Sequence, residues 1–168
     1  RVFLDARHQP EYVHKYCAQF GWNSVLGDPE KNYLHGHDKI RRIYSEPRAL
    51  DPFLGTTQQG RSTIFEFHFS KPSALDRVHL LRTLETNDGE PLWTAASDAP
   101  AWYYREIDAP FRVRMQKPDG TVYYQWQAPQ EDHGADCECI QVVGATMSGL
   151  TGAETTETQA EKKEPANA

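Results

Sequence analysis

The sequence predicts an α/β protein: a mixed sheet flanked by helices, with a β-hairpin before the last helix. Two patterns carry this prediction. Near the start, a short apolar strand is followed at once by a helical pattern, which is typical of parallel strands joined by helices. Near the end, two arms of alternating side chains enclose an Asp-Gly turn, which predicts an antiparallel hairpin. The 168 residues suffice for one domain with a hydrophobic core.

The first strand and helix are predicted from RVFLDARHQPEYVHKYCAQFG. VFLD indicates a short buried strand that ends in Asp5. Pro10 suits the first turn of a helix, and Gly21 supplies its C-terminal stop. Four side chains between them recur at helical spacing and form the expected inner stripe: Val13, Tyr16, Cys17 and Phe20. Residues 23–61 are rich in Gly, Pro, Asn and Asp, so we expect them to be mostly irregular.

The segment STIFEFHFS predicts a second buried strand. Its three phenylalanines, Phe65, Phe67 and Phe69, share one face, which we expect to be the heavily buried one. Ser70 is suited to cap the helix that follows, because its hydroxyl can accept from backbone N–H groups of the first turn.

The last third of the chain predicts a short helix, a hairpin and a final helix. AWYYREI indicates the short helix, and the alternating arms FRVRMQ and TVYYQW around Asp119-Gly120 indicate the hairpin. DHGADCECIQVV, residues 132–143, indicates the final helix, with Asp132 as its N-cap. Residues 148–168 contain one leucine and no aromatic residue, so we expect a disordered tail after a folded domain at 1–147.

Composition restricts the class of protein. The net charge is −6, which argues against a protein that binds DNA along an open basic surface. A run of about 18 apolar residues is lacking, so the sequence predicts no membrane helix. Three cysteines without a secretory signal fit a reducing cytosol. RVFLD resembles the inside of a strand and lacks an initiator methionine, so we expect a fragment of a longer protein.

The most informative stretch for function is the start of the final helix. Asp136 shares one helical face with the apolar Ile140, Val143 and Met147. A buried, unpaired carboxylate is costly, and a divalent cation or an arginine would remove that cost. The alternative is that Asp136 is half-exposed at the favourable end of the helix dipole and binds nothing.

Asp5 gives Asp136 a potential partner. A strand-end aspartate at the carboxyl edge of an α/β sheet lies where such folds place their sites, although an aspartate there can also bond only to the following turn. A pair of such acids is a pattern used by two-metal phosphodiester hydrolases, which hold Mg²⁺ or Mn²⁺. Asp132 or Glu138 is the candidate for a third carboxylate.

Other candidates are weaker. Cys137 and Cys139 would point about 200° apart on a helix and cannot easily chelate one ion together. His35-x-His37 beside Asp38 could bind metal, but solvated loop histidines are the favoured alternative. The basic stretch KIRR and Lys71 could meet phosphate, or could be a solvated loop and a helix-flanking lysine.

The order of these segments resembles the C-terminal nuclease domain of lambda-type (GpA-like) phage terminase large subunits. The match spans roughly residues 1–147 and rests on four stretches in order: FLDARHQPEYVHKYCAQFGW, STIFEFHFSKPSALDRVHLLRTL, APAWYYREIDAPFRVRMQKPDGTVYYQW and EDHGADCECIQVVGA. The last stretch, which resembles the family's Asp-Cys helix start, is the most specific.

The resemblance implies an RNase H-like fold and a Mg²⁺- or Mn²⁺-dependent endonuclease that cuts concatemeric viral DNA. Asp5 and Asp136 would be the catalytic metal ligands, and His133 would orient water or a ligand. Lys71 and two hairpin arginines, Arg112 and Arg114, are the candidates for contact with double-stranded DNA.

The implied partners are the terminase small subunit, the portal of the procapsid and the ATPase remainder of the large subunit, in the cytoplasm of a phage-infected or prophage-bearing bacterium. In the family, a further aspartate-bearing strand precedes the matching segments, so this chain would carry only part of the active site. The competing hypothesis is a non-catalytic α/β docking or remnant module of the packaging machine.

Overall fold

A computed structural model describes residues 1–29, 32–51 and 63–151. Its elements in chain order are β1 (Phe3–Asp5), α1 (Pro10–Phe20), β2 (Asn23–Asp28), β3 (Tyr33–Leu34), β4 (Arg41–Arg42), β5 (Arg48–Leu50), β6 (Ile64–Ser70), α2 (Lys71–Thr83), α3 (Ala101–Ile107), β7 (Phe111–Gln116), β8 (Val122–Gln127) and α4 (His133–Met147). The predicted tail falls largely on residues 152–168, outside the described residues.

The main sheet is mixed, as the sequence predicts. Its strands lie in the order β1-β2-β6-β5; β1, β2 and β6 are parallel, and β5 is antiparallel to β6. Asp5 pairs in register with Val25, and Gly27 with Phe69. The carboxyl ends of the three parallel strands therefore meet at one edge of the sheet, which is where α/β folds place their sites.

The prediction of irregular structure for residues 23–61 is wrong for most of the described part of that range. β2 is an interior strand of the main sheet, and β3, β4 and β5 also fall within it. Asn, Gly and Asp have low intrinsic strand propensity, but pairing with β1 and β6 and burial of Ser24 and Val25 override it. Residues 30–31 and 52–61 lie outside the described residues.

Both faces of the sheet are covered by helices. On one face, α2 and α4 pack on β2 and β6 around Phe67 and Phe69. On the other, α1 packs through Cys17 and Ala18 against Ile64. The expectation of a single buried face on β6 is therefore wrong, since the strand is interior to a three-layer arrangement. Phe65, near the start of the strand, is 46% exposed.

The bounds of α1 agree with the sequence prediction, but only part of its expected inner stripe is buried. The helix begins at Pro10 and ends before Gly21, whose φ of 68° is readily adopted by glycine. Cys17 is fully buried, whereas Tyr16 and Phe20 are each 51% exposed. Tyr16 stacks on Phe20, and Phe20 stacks on Trp22, so this part of the stripe packs against neighbouring rings.

The later elements follow the predictions. Ser70 caps α2 by accepting from Ser73 N at 3.2 Å, and the β7–β8 hairpin turns at Gly120, whose φ is 85°. Trp126 of β8 joins the hairpin to α2 by donating to Asp76 Oδ1 at 2.8 Å. In the described part of the chain, every helix is too short or too polar to span a membrane.

Candidate functional site

A small cavity lies at the carboxyl edge of the sheet, beside the start of α4. Asp5 and Asp136 both line it, with Arg7, Gly27 and Lys71 as the other polar walls and Phe69 and Ile140 as the apolar ones. Its volume is about 10 Å³, roughly the room that one water-sized particle needs. The fold thus brings together the two aspartates that the sequence singles out, in a space for one small particle.

Chain topology positions the two carboxylates. Asp5 is the last residue of β1, and its Oδ1 accepts from Arg7 N at 2.9 Å, which turns the chain toward α1. The Arg7 guanidinium donates to Gly27 O at 2.6 Å and closes one side of the cavity. Asp136 lies in the first turn of α4, where the helix dipole favours a negative charge.

Lys71 is the immediate partner of Asp136. Its Nζ lies 2.7 Å from Asp136 Oδ1 and 2.9 Å from Asp132 Oδ2. All three side chains are about one-fifth exposed. Burial alone would lower the pKa of Lys71, but the hydrogen bonds and charges of Asp136 and Asp132 outweigh it and raise the pKa above its usual value. A lysine thus supplies the positive charge that the acid on this apolar face requires.

The Lys71–Asp136 contact is an ion pair with imperfect hydrogen-bond geometry. Asp136 Oδ1 is buried and accepts no hydrogen bond of good geometry, although the ammonium is 2.7 Å away. A buried carboxylate oxygen normally accepts at least one well-directed hydrogen bond. The attraction between the two charges, rather than a directed hydrogen bond, therefore holds this oxygen beside Lys71.

The charges that line the cavity balance. Asp5 and Asp136 contribute two negative charges, and Arg7 and Lys71 contribute two positive charges. Asp132, which shares Lys71, adds a third negative charge beside the cavity. A divalent cation would still compete with Lys71 for Asp136 unless the lysine moved away. In the described residues, the one cluster of three or more potential metal donors lies in the β3–β4 loop and the segment that follows β4, and it contains neither aspartate.

Asp132 does not cap α4 with its side chain, contrary to the prediction. It occupies the N-cap position, but its carboxylate turns to Lys71 and makes no capping hydrogen bond. Glu106, at the end of α3, accepts from Gly134 N at 2.9 Å instead. The side chain of another helix thus satisfies the first turn, which local sequence cannot reveal.

Glu138 does not supply the third carboxylate at this site. It is 5% exposed and accepts from Trp93 Nε1 at 2.9 Å and from the hydroxyl of Tyr103. Two positions after Asp136 on a helix, it points to a different face, where it ties α3 and the preceding loop to α4.

The remaining predicted site residues are exposed. His133 is the first residue of α4 and is not among the residues that line the cavity. Arg112 lies over the rings of Tyr124 and Trp126, with its guanidinium 5.1 Å and 5.7 Å from their centroids. Arg114 is exposed on the same strand, β7. Their roles in catalysis and DNA contact stay predictions.

The thiols of Cys137 and Cys139 point to different faces of α4, as the sequence predicts. Cys139 is fully buried in the core and Cys137 is exposed, although they are two positions apart on α4. Cys17, on the inner face of α1, is buried, and burial raises the pKa of its thiol. A shared metal or a disulfide between the two α4 cysteines is therefore incompatible with the fold.

A second buried polar group, which the sequence analysis missed, lies on the opposite face of the sheet. Glu66 is 5% exposed, and its Oε2 accepts from Ser24 Oγ at 3.2 Å and contacts His14 Nε2 at 3.0 Å. His68, on the same strand, contacts Asp28 Oδ2 at 3.2 Å. Alternation within IFEFHFS predicts that Glu66 and His68 share a face, but only the packing of α1 shows that this face is buried.

Comparison of the chain with protein families, curated proteins and solved structures gives no match.

Proposed function

We propose that this chain is part of a divalent-metal-dependent DNA endonuclease, the RNase H-like nuclease domain of a lambda-type phage terminase large subunit. The meeting of Asp5 and Asp136 in one cavity carries the proposal. The two residues come from opposite ends of the folded chain and from different kinds of element. The parallel strands and the start of α4 bring both carboxylates to one cavity at the carboxyl edge of the sheet, where α/β folds commonly bind ligands.

The donor set fits a hard cation such as Mg²⁺ or Mn²⁺. Asp5 and Asp136 offer carboxylate oxygens, which these ions prefer, and Asp136 Oδ1 is buried without a well-directed hydrogen bond. These two residues would hold the ion. When bound, such an ion activates water and stabilises the leaving oxygen of a phosphodiester.

Lys71 has a defined part in this proposal. Its ammonium competes with a cation for Asp136, and Asp132 lies within reach as a second partner at 2.9 Å. With Asp136 engaged elsewhere, Lys71 keeps the salt bridge to Asp132 and can donate to a phosphate oxygen. This would give Lys71 the phosphate-contacting role that the sequence suggests. In the structure, its ammonium is paired with Asp132 and Asp136 instead.

The small number of carboxylates at the cavity supports a site that another segment completes. Hydrolysis of this type usually employs three or four carboxylates, and the described residues place two here. Among the described residues, β1 lies at the edge of the main sheet and pairs on one side alone, with β2. A strand edge is a ready template for another strand, so a further aspartate-bearing strand could add beside Asp5.

The second candidate function is a non-catalytic docking or remnant module of the packaging machine. The observation that favours it is the double salt bridge of Lys71, whose single ammonium pairs with both Asp132 and Asp136 without any metal. In that case the acids serve the fold, and the surface contacts a partner such as the portal or the small subunit.

Metal titration followed by DNA cleavage separates the two candidates. The melting temperature of the chain is measured against Mg²⁺ and Mn²⁺ for the wild type, Asp5→Asn, Asp136→Asn and the control Asp88→Asn, which changes an exposed acid. The nuclease proposal expects a metal-dependent rise that Asp88→Asn keeps and the two site variants lose. The same proteins are then incubated with supercoiled plasmid and Mn²⁺.

Each combination of results has one meaning. Metal binding with plasmid nicking that both site variants abolish supports an active nuclease. Metal binding without nicking supports a site that needs the rest of the large subunit. Melting temperatures that do not respond to metal in any variant favour the docking module and refute the proposed metal centre.

A further inference from the structure

We propose that His35, His37 and Glu46 form a second metal site, which takes a transition-metal ion such as Zn²⁺. One potential donor atom of each residue lies within 4.8 Å of those of the other two. The site belongs to the loop between β3 and β4 and the segment that follows β4, and none of its residues lines the Asp5–Asp136 cavity. It therefore does not depend on the proposed nuclease function.

Backbone hydrogen bonds hold the loop in place. His35 N donates to Ile40 O at 2.9 Å, and Lys39 N donates to His35 O at 3.0 Å, which closes a tight turn between β3 and β4. Beyond β4, Ser45 N donates to His68 O at 2.8 Å and joins the chain to the edge of β6. The residue after Ser45, Glu46, therefore leaves the sheet at a defined position facing the loop.

The tautomer of His35 leaves one ring nitrogen for a metal. Its Nε2 lies 2.8 Å from the carbonyl oxygen of Tyr44, and a carbonyl can only accept, so Nε2 carries the hydrogen. In the neutral ring, Nδ1 then has a free lone pair. Histidines that bind metals commonly donate their second N–H to a backbone carbonyl in this way. His35 is 5% exposed, so its ring is held by the surrounding protein.

His37 has the corresponding arrangement with a carboxylate. Its Nε2 lies 3.2 Å from Asp38 Oδ2, and its Nδ1 lies 3.4 Å from Glu46 Oε1. Asp38 is itself held by a two-pronged salt bridge to Arg42 and by Ile40 N. Asp38 therefore orients the ring, and Nδ1 and the Glu46 carboxylate face each other across the position that an ion would occupy.

The Glu46 carboxylate is held in a position from which it can bind an ion. Its Oε1 accepts from Gly36 N at 2.8 Å, which fixes the carboxylate beside the loop. Its second oxygen, Oε2, is then the natural metal donor.

The donor set selects the class of ion. Two imidazole nitrogens and one carboxylate suit Zn²⁺ and related ions, with water as a fourth ligand, whereas Mg²⁺ prefers oxygen ligands alone. Zn–N bonds of about 2.1 Å in a tetrahedron place ligand atoms roughly 3.4 Å apart. The side chains of His37 and Glu46 are 70% and 48% exposed, so small rotations can close the remaining distance without displacing packed side chains.

Binding of Zn²⁺ and Co²⁺ to the untagged, chelator-treated full chain tests the proposal. The variants are His37→Ala and Glu46→Gln, since both side chains are exposed and their loss should not prevent folding, as circular dichroism would verify. His8→Ala, which removes an exposed histidine elsewhere, is the control. We expect one equivalent of Zn²⁺ for the wild type and the control, and an affinity lower by about tenfold or more in each site variant.

Cobalt supplies a readout of coordination. The wild type should show the visible absorption of four-coordinate Co²⁺, displaced by Zn²⁺ but not by Mg²⁺. Absence of stoichiometric Zn²⁺ binding, or binding that His37→Ala and Glu46→Gln leave as tight as the control does, would overturn the assignment. Loss of the Mg²⁺ or Mn²⁺ response in Asp136→Asn has no bearing on this result, because the two sites share no residue.

Discussion

The ammonium of Lys71 lies 2.7 Å from Asp136 Oδ1 and 2.9 Å from Asp132 Oδ2. Lys71 is the first residue of α2, and the two acids lie at the start of α4. The N-terminus of a helix is the positive end of its dipole, which stabilises a carboxylate and destabilises an ammonium such as that of Lys71. The salt bridge therefore offsets an unfavourable position for Lys71 and joins the two helices that cover one face of the sheet.

Lys71→Met should lower stability and strengthen metal binding together. The change leaves Asp132 and Asp136 without their cation, which should reduce the unfolding free energy by about 1–3 kcal/mol without metal. With the competing charge removed, Mn²⁺ should stabilise the variant more than it stabilises the wild type. Urea unfolding with and without Mn²⁺ measures both effects, with the exposed Lys15→Met as control. Equal stabilisation of wild type and variant by Mn²⁺ would show that Lys71 and the ion do not compete.

Tyr103→Phe should weaken the α3–α4 contact in a pH-dependent way. Burial, and then the hydrogen bond to Glu138, raise the pKa of the Tyr103 hydroxyl above its usual value of 10.0. The stability from this bond is therefore complete below pH 10.0 and is lost as pH rises through the higher folded-state pKa. The variant should be less stable than the wild type by about 1–2 kcal/mol at neutral pH.

That difference should shrink in alkaline solution, which urea unfolding at neutral and alkaline pH would measure. Tyr104→Phe is the matched control, because the Tyr104 hydroxyl is at the limit of hydrogen-bond distance, 3.5 Å from Ala96 O. A constant difference between Tyr103→Phe and the wild type across this range would refute the role given to the Tyr103–Glu138 bond.

Gly27→Ala should disturb the cavity from the β2 side. A Cβ at this position would lie 2.9 Å from Cζ of Phe69, whose ring is 3% exposed and closely packed. Such overpacking typically costs about 1–3 kcal/mol. Urea unfolding should show that loss, and the additional change Phe69→Leu should recover part of it. If Gly27→Ala alone is as stable as the wild type, the strand and ring are less closely packed than described.

One of the three cysteines should react with a thiol reagent in the native protein. Cys137 is exposed, whereas Cys17 and Cys139 are fully buried. Burial, and then the charge of Asp136, raise the pKa of the Cys137 thiol, so its reaction should be slow at neutral pH and faster as pH rises. Colorimetric titration should give one equivalent before denaturation and three after it. Early reaction of two thiols would show that α1 or α4 packs differently on the sheet.

The sequence predicts the elements that have clear local signals. The strand that ends in Asp5, the helix between Pro10 and Gly21, the Ser70 cap and the hairpin around Gly120 all agree with the structure. Each depends on a local rule of capping, turn chemistry or alternation, which operates within a few residues.

Features that depend on distant contacts could not be predicted in this way. β2 becomes an interior strand because β1 and β6 pair with it, although its own residues favour loops. Glu106, from another helix, takes over the cap that Asp132 would supply. Glu46 joins His35 and His37 only because the chain after β4 returns along β6. For the proposed nuclease site, the sequence singles out Asp5 and Asp136, but the Lys71 salt bridge requires the packing of α2 on α4.

Mn²⁺-induced broadening of backbone amide signals in nuclear magnetic resonance shows directly whether Asp5 and Asp136 hold a divalent cation. Substoichiometric Mn²⁺ should selectively broaden the amides of Arg7, Gly27 and Asp136, and Asp136→Asn should remove this effect. Those amides remaining sharp while other exposed acidic segments broaden, or identical broadening in Asp136→Asn, would contradict cation binding by these two aspartates.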